Sequence, residues 1–127
     1  MKHVPLVMLL AGLLVACNSV PINTERGPDG TIVYRVPVEA SEPGALIEVN
    51  GESIGTAPLV LKIYGDRDGT FHSFGSYEFV VRAYLPNANR PPLTKVYRTG
   101  ALFAAEDKVP EKIYFDFGAQ PGARSNP

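Results

Sequence analysis

The 127-residue chain holds few side chains suited to covalent or acid–base chemistry: two histidines, one cysteine and no tryptophan. His3 lies in the N-terminal apolar segment, so a metal set or a Ser/His/Asp relay that needs an imidazole must use His72. That residue stands in Phe71-His72-Ser73-Phe74, where the plainer reading is a turn or strand-end histidine wedged among aromatics. Asp66-Arg67-Asp68-Gly69 begins as a calcium-binding loop would. The third acidic or amide ligand and the distal glutamate are missing, because Thr70 follows directly, and the segment reads as an inter-strand turn. Glu106-Asp107 are adjacent carboxylates on a loop, which solvent ordinarily satisfies. None of these completes a catalytic or metal-binding set, so the chain reads as a non-enzyme with no metal and no cofactor.

Aromatic side chains make a fuller constellation. Tyr64, Tyr84 and Tyr114 fall on the alternate positions of three strand-like segments, opposite their apolar residues. A shared register would make them an exposed face able to stack on sugar rings or a peptide. Two observations work against the sugar reading. Tryptophan, the largest stacking face, is absent, and Lys62, Arg82 and Lys112 are placed to cover the rings in ordinary cross-strand packing.

Charge and composition narrow the class. Twelve basic against thirteen acidic residues leave a net charge of −1, with no basic block to neutralise phosphates, which excludes a strongly electrostatic nucleic-acid binder. Twelve glycines and twelve prolines make up nearly a fifth of the chain, against an ordinary combined usage of roughly 12%. Such punctuation disfavours a helix bundle and favours short strands joined by turns. The length allows one small domain.

The N-terminus reads as an address. Lys2 precedes a 13-residue apolar run, Val4 to Ala16, too short to cross a hydrocarbon core that needs about 20 residues. Its closing residues, Leu14-Val15-Ala16-Cys17, resemble a bacterial lipobox. The resemblance implies that residues 1–16 are removed and that Cys17 becomes a lipidated first residue, carrying a thioether-linked diacylglycerol and usually an amide-linked acyl chain. Two or more chains give a stable anchor where one is marginal. Cys17 is the sole cysteine, so no disulfide can form within one chain. Asn18 stands where an aspartate would signal inner-membrane retention, which points to the outer membrane, facing the periplasm, if the source is diderm. Residues 17–30 read as the lipidated cysteine and a tether, 31–117 as the folded domain, and 118–127 as a disordered tail.

Within the domain, period-two alternation predicts seven short strands over 31–38, 45–49, 52–54, 59–64, 77–85, 94–103 and 112–117. The reading places Ile32, Tyr34, Val36 and Val38 on one face, then Ala45, Ile47 and Val49. Leu59, Leu61 and Ile63 follow, then Tyr77, Phe79, Val81, Ala83 and Leu85, and lastly Ile113, Phe115 and Phe117. Asn50-Gly51 predicts a type I′ hairpin. The fold class is all-β, a small β-sandwich of about seven antiparallel strands.

The run Pro43-Gly44-Ala45, Val49-Asn50-Gly51-Glu52 and Ile54-Gly55-Thr56-Ala57-Pro58-Leu59 is similar to the PEGA domain, a small prealbumin-like β-sandwich of cell envelopes. The longer connection at 65–76 and the Pro/Asn-rich loop after Leu85 depart from that pattern. The family carries no common catalytic residues. Two functions follow as expectations: a lipid-anchored interaction or structural module that contacts an envelope protein or glycan, or a carbohydrate- or peptidoglycan-binding module using the tyrosine face.

Overall fold

Alternating side chains give each segment one apolar face, and burying seven such faces at once requires two sheets laid against each other. The structure, a computed structural model, describes residues 24–101 and 103–118. Cys17, the apolar segment before it and the tail from 119 onward lie outside the described residues. The strands are β1 (Ile32–Ala40), β2 (Leu46–Val49), β3 (Glu52–Thr56), β4 (Leu59–Gly65), β5 (Glu78–Tyr84), β6 (Leu93–Arg98) and β7 (Ile113–Phe115). One sheet has the order β4-β1-β7 and the other β3-β2-β5-β6.

Both inner faces supply one core. Val36, Val38, Leu61, Ile63, Ile113 and Phe115 of the three-stranded sheet meet Ala45 and the β2–β5 residues Ile47, Val81 and Ala83. Mostly larger side chains on the first sheet face two alanines, a valine and an isoleucine on the second, a mix of sizes that lets the two surfaces interdigitate. The hairpin between β2 and β3 has the expected two-residue turn, with φ of 51° at Asn50 and 87° at Gly51. Asn50 also ties the hairpin to β5, since its N–H donates to Val80 O at 2.8 Å and its Oδ1 accepts from Val80 N at 2.9 Å.

Three expectations need correction. First, β1 and β7 run parallel, while every other pair is antiparallel. A tight hairpin forces antiparallel pairing. The 14-residue connection over 99–112 is long enough to bring β7 in beside β1 from the same end.

Second, residues 25–30 belong to the folded unit rather than to a tether. Because β7 covers only Val38–Ala40 of β1, the start of β1 keeps a free edge. Glu25 O accepts from Val33 N at 3.0 Å, and Arg26 bridges Ile32. The Glu25 carboxylate then reaches Arg35 at 2.6 Å and Lys62 at 3.0 Å. Lys62 and Arg35 together hold that carboxyl below its ordinary value.

Third, Tyr77 is not inward. It is 68% exposed, and the end of the core beyond Phe79 is filled instead by Phe71, which is 1% exposed. The Phe71 ring lies 5.1 Å from both Phe79 and Tyr97. Phe71→Ala is therefore expected to cost about 3–5 kcal/mol in urea unfolding. Alanine at exposed Phe74, three residues on, should cost less than about 1 kcal/mol. Equal costs at the two positions would show that Phe71 does not close the core.

Candidate functional site

Two loops share the end of the sandwich that Phe71 closes: 66–77, between β4 and β5, and 99–108, after β6. The first begins at Gly65, where a Cβ would lie 2.7 Å from Thr70 O and 2.9 Å from the Tyr34 ring, so only glycine lets the chain fold back so closely. Asp66 N–H donates to Thr70 O and Gly69 N–H to Asp66 O. Asp68 Oδ1 accepts from Thr70 Oγ1 at 2.7 Å and from Thr70 N at 3.1 Å, bonds that hold the Asp68 carboxyl below its ordinary value. The Asp66–Gly69 segment is thus an inter-strand turn.

The second loop is stitched to the first. Phe71 N–H donates to Asp107 O at 3.0 Å and Val109 N–H to Gly69 O at 2.8 Å. Asp107 turns back onto β6: its Oδ2 accepts from Arg98 N at 2.7 Å and its Oδ1 from Arg98 Nη2 at 2.9 Å. The adjacent carboxylates therefore part company, Asp107 to β6 and Glu106 to the space between the loops.

That space is an open cleft of about 500 Å³ lined by Asp66, His72, Ser73, Tyr77, Thr99, Gly100, Ala101, Ala104 and Glu106. His72 Nδ1 lies 2.8 Å from Asp66 Oδ1. A carboxylate only accepts, so the ring donates there and is held in orientation. Ser73 Oγ donates to Ser76 O at 3.3 Å and Thr99 Oγ1 also donates to Ser76 O, so both aliphatic hydroxyls of the lining are engaged by the loop backbone. Among the described residues no three His, Cys, Asp or Glu side chains group as a metal set.

The rim is aromatic. Phe74 is 51% exposed, with its ring edge-on to His72 at 4.6 Å between centroids. Tyr77 stands on the cleft wall. Phe103, 95% exposed, projects from a turn closed by Ala101 N–H to Ala104 O at 2.9 Å. Sequence reasoning placed Tyr77 in the core and assigned no role to Phe74 or Phe103. The available signal was a connection at 65–76 too long for a hairpin yet rich in aromatics.

The expected tyrosine platform does not form. Tyr64 and Tyr114 share the outer face of the three-stranded sheet, but they stand opposite Val33 and Glu39 of β1. Six residues of strand place them about 20 Å apart. Tyr84 belongs to β5 in the other sheet and faces the opposite way. Alternation assigned each ring to an outer face without saying that the outer faces belong to two sheets. Two of the rings have local roles instead: Tyr64 fills the space over Gly27, and Tyr114 lies 5.8 Å under Lys112 Nζ.

No protein-family model matches the chain, and no match was found among curated proteins or solved structures. The class rests on the molecule itself: an all-β, two-sheet sandwich with an aromatic-rimmed cleft at one end.

The Arg98 guanidinium and backbone N–H hold the Asp107 carboxyl below its ordinary value of 3.8. A carboxylate whose folded value is depressed contributes stability above its unfolded value, and that contribution is lost as pH falls through the folded one. Thermal melts should therefore show Tm falling as pH drops below 3.8. Asp107→Asn should be less stable near neutrality and show a shallower fall, and parallel curves for the two proteins would refute the linkage.

Proposed function

We propose that this chain is a membrane-anchored cell-envelope lipoprotein whose PEGA-like β-sandwich is a non-catalytic interaction or structural module. Cys17 is its lipidation site, and its location is the outer membrane, facing the periplasm, if the source is diderm. The observation that carries this reading is the position of the only thiol, at the close of a 13-residue apolar run and seven residues before Thr24. From Glu25 onward the chain is already paired to the sandwich. A segment that short suits a lipid attachment close to the domain.

The cleft supports the non-catalytic part. Its one imidazole is held by Asp66, and the lining hydroxyls of Ser73 and Thr99 both donate to Ser76 O. What the cleft offers is exposed aromatic surface, the ordinary mark of a contact site.

Growth with labelled palmitate tests the anchor. The wild-type chain should carry label and shift to the mass of a processed, acylated product. Cys17→Ser should lose the label and stay unprocessed. Equal labelling of the two chains, or none in either, would overturn the assignment.

A further inference from the structure

We propose that the loop end of the sandwich rests on the bilayer surface, with Phe74, Tyr77 and Phe103 among the lipid headgroups. The inference builds on the lipid-anchor reading above and names the surface that the anchored domain contacts. The three side chains are surplus to folding, because Phe71, Phe79 and Tyr97 already close that end of the core. Tyr77 has the polar hydroxyl that suits a ring to headgroup level, and Phe74 and Phe103 supply the apolar rings that interfacial segments bury at the headgroup–acyl boundary. Among the described residues, the loops at the opposite end, 41–44 and 85–92, expose no large hydrophobic side chain.

The path of the chain selects the occupant. Residues 25 and 26 pair antiparallel with the first residues of β1, so that, followed back from the turn at Pro28–Gly30 at the cleft end, the chain moves away from that end only as far as the level of Val33 by Glu25. From Thr24, the seven residues back to Cys17 reach at most about 25 Å. Glu25 lies only two strand residues from the start of β1, well inside that reach, so an acylated Cys17 would let this end meet the membrane and raise the local concentration of lipid seen by the aromatics. Weak insertion of three rings then supplies a second membrane signal beside the anchor.

The absence of tryptophan from the native chain makes single-tryptophan variants clean reporters. The chain starting at Cys17 contains the whole described sandwich. Its only thiol can be coupled to a maleimide lipid in vesicles of phosphatidylethanolamine and phosphatidylglycerol, with or without brominated acyl chains. For Phe74→Trp and Phe103→Trp, brominated lipid should quench emission at least about twofold, with a blue shift on vesicle addition. Asn87→Trp, at the opposite end, should be unaffected. Equal quenching at all three positions, or none at any, would overturn the proposal. So would a blue shift at position 103 that grows with protein concentration without lipid, which would make a second copy the occupant. Because coupling here is chemical, failure leaves the natural acylation of Cys17 standing, and failure of the palmitate experiment leaves this result standing.

Discussion

A sandwich of two open sheets has two ends at which its apolar interior would meet water, and the arrangement of this molecule turns on how one of them is closed. Phe71 does it. Its ring continues the column of Phe79 and Tyr97, a burial worth about 1.5–3 kcal/mol before cavity effects. Its backbone is also the seam between two loops, bridged to Gly65 on one side and bonded to Asp107 O on the other. With that residue inside, the neighbours on both loops must face out. His72 turns to Asp66, while Phe74 and Tyr77 point to solvent. The cleft and its aromatic rim are thus consequences of closing the core with a loop residue rather than with a strand residue.

The edges are guarded by the same economy of segments. β7 is only three residues long, and the free start of β1 beside it is taken by residues 25 and 26. On β6, the Arg98 N–H that would template a further strand is occupied by the Asp107 carboxylate. Such edge protection matters for a small all-β chain, since an unpaired ladder recruits other strands. The exposed ion pairs that accompany it, Glu25 with Arg35 and Lys62 and Asp107 with Arg98, add geometry more than energy. They fix where the loops sit.

The contrast between the two sets of aromatics bears on function. Tyr64, Tyr84 and Tyr114 are tied to outer sheet faces that point in opposite directions or lie far apart along a strand, so they cannot grip one ligand. Phe74, Tyr77 and Phe103 come from two loops gathered at one end of the molecule, and all three are exposed there. A short link to Cys17 would give that end a preferred surface.

The presence of seven strands and most of their inward faces were determined by the sequence alone, although β6 stops at Arg98 rather than continuing to 103. Ile47, Val81, Ala83, Ile113 and Phe115 are buried as alternation required, because period two leaves one face to hide. Asn50-Gly51 turned as read, because positive φ at two successive positions suits that pair. Which strand lies beside which was decided by the tertiary structure. Alternation specifies a face and not a neighbour, so the parallel β1–β7 pair, the assignment of Tyr84 to the other sheet and the docking of residues 25–30 were beyond its reach. The exchange of Phe71 for Tyr77 was decided there too: both are aromatics near a strand end, and only the shape left between the two sheets selects which one is buried.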